Sequence, residues 1–114
     1  MKKTSLLICI ILLMACAAKK SAFTNADVDR AKTKFPGSTK ATLSQGHDYY
    51  MQYCGNCHPF KSPSLKNEEQ WKKIVPKMVE KTNTKANMEV INSKQEKLIL
   101  AYLVTMCTVP APQK

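Results

Sequence analysis

Apolar residues recur at three- and four-residue intervals along most of this chain, and no stretch alternates in the way a half-buried strand requires. Trp71, Ile74, Val75, Met78 and Val79 fall at i, i+3, i+4, i+7 and i+8, one face of an amphipathic helix. Asn67-Glu68-Glu69-Gln70 opens that helix with a capping-box pattern and acids in its first turn, and Pro76 sits inside it as an expected kink. Leu98, Ile99, Tyr102, Leu103 and Met106 form a second stripe, opened by Ser93-Lys94-Gln95-Glu96 and ending before Val109-Pro110. Leu43, Tyr50, Tyr53 and Cys54 place another helix from Thr42 or Ser44 to Cys54. Gly46 lowers the stability of that helix, which indicates close approach of another backbone. A short helix capped by Asn25, with Asp27 and Asp29 in its first turn, should end by Phe35-Pro36-Gly37 and pack loosely. The expected fold is all-α.

The chemistry concentrates in Cys54-Gly55-Asn56-Cys57-His58. Two thiols three positions apart can form thioethers to the two vinyl groups of one porphyrin, with the adjacent imidazole as proximal iron ligand. This is the attachment signature of a single covalent haem c. Two other uses of such residues were weighed. A thioredoxin-like pair should follow a buried strand in a βαβ pattern, and residues 43–53 read as helix. A structural zinc site needs four ligands, and His47 and Cys107 do not make a second paired knuckle. Haem attachment is the favoured reading.

The start of the chain fits that chemistry. A basic Met1-Lys2-Lys3, an apolar run over 6–14 and a small-residue site at Ala15-Cys16 make a secretory signal peptide, too short to span a bilayer. Leu13-Met14-Ala15-Cys16 resembles a bacterial lipobox. The resemblance implies cleavage before Cys16, lipidation of its thiol and a membrane-anchored, periplasm-facing protein. Ordinary secretion is the alternative. The expected organisation is a signal peptide over 1–15, a tether with a short helix over 16–41, the folded domain over 42–109 and a disordered tail over 110–114. Formal charge is +10, and losing Lys2 and Lys3 lowers it by two, to +8. Export argues against nucleic acid. A basic surface suits redox protein partners with acidic docking faces, or anionic lipid headgroups. Cys107 is left over as a small core residue or an exposed thiol.

Four methionines lie beyond the signal peptide: Met51, Met78, Met88 and Met106. Met51 is tied to the proximal side and Met106 to the last helix. Met78 and Met88 have enough chain after His58 to reach the distal face of a haem, with Met78 favoured. His47, on the helix entering the motif, is expected on the surface and not as a ligand. Phe60 could cover a haem edge.

Residues 43–103 resemble the class I cytochromes c. Gly46, Tyr50 and Cys54 lie four apart, and Gly46 and Tyr50 match the glycine and aromatic of that family's first helix, the glycine letting the last helix cross and the aromatic packing on it. Ile99 and Tyr102 would be their partners. The segment from Trp71 to Met78, followed by a helix carrying Tyr102-Leu103, resembles small bacterial members in which that methionine supplies the distal sulfur. In the family a proline carbonyl after the motif accepts the histidine's second N–H, a role that falls to Pro63. The resemblance implies an electron-transfer protein, with no substrate and no enzymatic activity. The alternatives are a five-coordinate haem that binds a small gas or reduces peroxide, or a haem subunit of a larger dehydrogenase or oxidase.

Overall fold

In the computed structural model, residues 22–110 are described. The signal peptide, Cys16 and residues 111–114 lie outside them. The described residues contain four α-helices: α1 Asn25–Lys32, α2 Lys40–Tyr49, α3 Glu68–Ala86 and α4 Ser93–Met106. A π-helical turn, Tyr50–Cys54, prolongs α2, and a 3-10 turn, Pro63–Leu65, precedes α3. The all-α architecture is as expected, and no strand occurs among the described residues.

Each α-helix opens with a reciprocal capping box, in which the cap side chain takes the N3 amide and the N3 side chain takes the cap amide. Asn67 pairs with Gln70 as the sequence pattern indicated. The other starts shift slightly. Thr24, not Asn25, caps α1 through Asp27. Thr39 caps α2 through the Thr42 hydroxyl, a box with neither Glu nor Gln to advertise it. Asn92 caps α4 through Gln95, which moves Ser93 into the first turn. Helix α3 runs unbroken through Pro76 and closes on Asn87 in the left-handed region, φ 53°. Past that end, the Asn83 side chain accepts from the amides of Val90 and Ile91 and donates to the Ile91 carbonyl.

Helices α2 and α4 make the most extensive interhelical contact, and they meet at Gly46. A Cβ added there would overlap the Leu98 carbonyl oxygen and lie 3.0 Å from the Tyr102 Cβ. The close approach inferred for Gly46 is therefore real, with Leu98 and the expected Tyr102 supplying the nearest atoms. A backbone carbonyl cannot swing aside like a flexible side chain. Gly46→Ala should cost about 1–3 kcal/mol, which a thermal melt would register as a fall of several degrees. An unchanged melting temperature would contradict this packing.

Tyr50, 2 % exposed, is the hub of the core. Its ring lies 6.0 Å from Tyr102, 6.2 Å from Trp71 and 5.7 Å from Phe60, all between centroids. Such aromatic pairs add to the stabilisation from buried area. Helix α1 is not the loose appendage expected of it. Phe23 and Val28, at the staple positions before and within its first turns, are buried along with Ala31. The Arg30 guanidinium joins α1 to α4 by donating to the Thr105 carbonyl at 3.2 Å, and also grips Asp27 at 2.5 Å. The sequence reading missed this because Phe23 lies outside the helical period.

Burial alone would push the Asp27 carboxyl up. The Thr24 amide and hydroxyl and the Arg30 guanidinium outweigh that effect and hold it below its ordinary 3.8. A depressed folded value means that its stabilisation is complete above about pH 4 and drains away as pH falls through the folded value. Asp27→Asn should therefore lower the melting temperature at pH 7, with a deficit that shrinks below about pH 4. A deficit that is the same at both pH values would contradict the role of the carboxylate.

Candidate functional site

Helix α2 delivers the cysteine motif through the π turn, which buries Tyr50 and Cys54. Turns of this kind recur at functional positions because they re-aim the side chains that follow. The chain then folds back at Gly55 and Asn56. The Asn56 side-chain amide donates to the Gln52 carbonyl at 2.8 Å, and the Cys57 amide to the Cys54 carbonyl at 3.4 Å. Cys54 is buried and Cys57 exposed, and no disulfide joins them.

Two core residues staple the loop beyond His58. The Tyr50 hydroxyl donates to the Lys61 carbonyl at 3.1 Å, and the Trp71 indole N–H to the Pro63 carbonyl at 2.8 Å. The Pro63 carbonyl thus serves Trp71, and His58 turns elsewhere. Its Nδ1 lies 2.9 Å from the carbonyl of Pro59. A carbonyl only accepts, so Nδ1 carries the proton and Nε2 keeps its lone pair for a ligand.

Cys54, Cys57, His58 and Met78 line one cavity of about 790 Å³. Its first wall is the segment of the π turn and cysteine motif. Its second is the last two turns of α3 from Met78, completed by Val90. The volume lies in the ~300–1,000 Å³ range of cofactor and ligand sites. Met78 is half-buried there, whereas Met88 is 64 % exposed and Met51 41 %. Neither of those two nor Met106, which packs against the core, lines the cavity.

Other expected positions differ. Phe60 does not line the cavity; it is 47 % exposed and sits edge-on to Tyr50. His47 also stays out of the cavity, but it is no plain surface residue. Its half-buried ring lies edge-on to Tyr102 at 5.2 Å and to Phe23 at 6.5 Å, and Nδ1 is 3.1 Å from Asp48. Cys107 packs half-buried against the core, with Sγ donating to the Val104 carbonyl at 3.1 Å. Trp71 is buried in the core and is not a cavity residue. Lys81, Thr82 and Lys85 on the second wall escaped the sequence reading. Their signal was present, because they follow Met78 by three, four and seven positions along one helical face.

Comparison with protein-family models, with curated proteins and with solved structures finds no match for this chain. The chemistry of the site must therefore speak for itself.

Burial, and then the neighbouring Cys57, push the Cys54 thiol up to about 11. It also sits at the C-terminal end of its helix, where the dipole opposes a thiolate. Dithiol oxidoreductases need the reverse, a thiol lowered by a helix N-terminus or a cation. Among the described residues, no group of three or more His, Cys, Asp and Glu side chains is placed to hold a metal ion. No described helix is long and apolar enough to cross a membrane. The cavity therefore offers two thiols on one turn, one imidazole with a free Nε2, and a thioether from a separate helix.

Proposed function

We propose that this chain is a small cytochrome c-like protein that carries one covalent haem c and passes single electrons between extracytoplasmic redox partners. The observation that carries this reading is the convergence of Cys54, Cys57, His58 and Met78 on one cavity, from segments twenty residues apart in sequence. The donor set fits the group. Vinyl groups take two thiols, and a low-spin iron takes an imidazole and a thioether. Bound haem supplies a one-electron iron couple, and the protein supplies the rest.

Cys54 and Cys57 tether the macrocycle to the π-turn wall. His58 offers Nε2, and its Nδ1–H bond to Pro59 fixes the tautomer and raises ligand basicity. Tyr50 and Trp71 hold the following loop against the core, so the imidazole keeps its place. Met78, from α3, would offer its thioether to the iron, a soft ligand that favours the ferrous state. Held by an imidazole and a thioether, the iron would have no place for a substrate, which suits a carrier and not an enzyme. Lipid at Cys16 anchors it to a membrane facing the periplasm, and its basic surface meets redox proteins with acidic faces.

The test is a potential-controlled optical titration of the purified holoprotein, followed by exposure of the ferrous form to carbon monoxide. A single one-electron wave and slow or absent carbon monoxide binding are expected. Immediate carbon monoxide binding would replace the carrier with a five-coordinate haem that binds a gas or reduces peroxide.

A further inference from the structure

We propose that Lys81 and Lys85 are the counter-charges of the two haem propionates, with Thr82 donating a hydrogen bond to one of them. This rests on the haem reading above and names what holds the other edge of the same group.

Haem carries its two vinyl groups on one edge and its two propionates on the opposite edge. Thioethers to Cys54 and Cys57 would hold the vinyl edge at the π-turn wall, leaving the propionate edge to the rest of the lining. The facing wall is α3, where Met78, Lys81, Thr82 and Lys85 share one face. Carboxylates that enter a partly enclosed cavity require partners, because desolvation without compensation is unfavourable. Among the residues lining the cavity Lys81 and Lys85 are the cationic side chains, and no carboxylate lines it.

Both lysines are uncommitted. The ion pairs among the described residues join Arg30 to Asp27, Lys34 and Lys72 to Glu68, Lys72 to Glu69, and His47 to Asp48. None involves Lys81 or Lys85. Both are exposed and Thr82 is half-buried, so the ammonium groups reach the cavity mouth on flexible stems. Lys73 and Lys77 continue the same four-residue spacing towards the start of α3. They too are exposed, but they do not line the cavity. They provide a control of equal charge on the same helix.

A cation beside the propionates disfavours ferric haem, and removing it leaves the propionate charge to favour the ferric form. The cation therefore raises the potential, and its removal lowers it. K81Q/K85Q in the holoprotein should raise the ferric-to-ferrous ratio at fixed potential about three- to tenfold, tenfold being about 59 mV for one electron. K73Q/K77Q, whose charges are screened by solvent, should change it less than about 1.5-fold. Redox-difference infrared spectra should show the propionate carboxylate band displaced in K81Q/K85Q and restored in K81R/K85R. Equal shifts in the two double variants, or an unmoved carboxylate band, with covalent haem retained, would overturn this assignment and leave the haem reading intact. A parent protein without covalent haem would overturn both.

Discussion

Replacing Trp71 by alanine is expected to destabilise the protein by about 3–5 kcal/mol, the largest single-residue loss in the core. Trp71 is 3 % exposed, and its ring sits edge-on to Tyr50. Its indole N–H also occupies the buried Pro63 carbonyl. Three losses coincide: apolar area, an aromatic contact, and a hydrogen bond whose acceptor is left without its indole donor. Trp71→Phe separates them. It keeps most of the ring and should cost about 1–3 kcal/mol, chiefly from loss of the indole bond to a carbonyl left with only the Lys66 amide at 3.4 Å. Trp71 does not line the cavity, so its effect on haem should come only through the loop after His58. Denaturant titration reads both variants, and a loss below about 1 kcal/mol for Trp71→Ala would place the side chain outside the core.

Met78→Ala should produce the largest functional change. On the proposed ligation, removing the thioether would leave the iron with His58 alone, and the potential should fall by a substantial share of the ~0.8 V over which axial ligands tune it. Ferrous protein should then bind carbon monoxide readily. The haem should stay attached, because Cys54 and Cys57 are untouched. Met78 is half-buried, so the stability loss should stay below the 2–5 kcal/mol typical of a fully buried methionine. Met88→Ala, at a side chain 64 % exposed, should change neither potential nor spectrum. If Met88→Ala moves the potential and Met78→Ala does not, the axial assignment is reversed.

Much of this arrangement is written in local patterns. The stripes on α3 and α4 and the Asn67 cap follow from spacing alone. The glycine at 46 also announced a helix crossing, since nothing else justifies glycine mid-helix. Local pattern fails where the decisive partner is distant or the signal unconventional. Helix α1 reads as a weak amphipathic segment, and its attachment depends on Phe23 and on an Arg30 bond reaching across 75 positions to Thr105. The Thr39 cap hides because a threonine stands where the usual box has Glu or Gln. The family resemblance pointed to Pro63 as the acceptor for His58, but the Pro63 carbonyl takes the Trp71 indole and Nδ1 of His58 lies against the Pro59 carbonyl. His47 shows the same limit, since its burial against Tyr102 depends on where α4 crosses α2. At the site, the motif named Cys54, Cys57 and His58 at once. That Met78, and not Met88, joins them on the cavity depends on α3 continuing past Pro76, which carries Met78 along it with Lys81 and Lys85.

The central claim is that Cys54 and Cys57 hold one haem by thioether bonds. Its most direct test is mass spectrometry of the mature chain, expressed with export and haem-attachment machinery, after full denaturation and acid-solvent extraction. The account requires the chain mass to exceed that of the polypeptide and its lipid by one haem, with the addition mapped to the peptide containing Cys54 and Cys57. A chain without that addition, or a porphyrin that extracts freely, would contradict it.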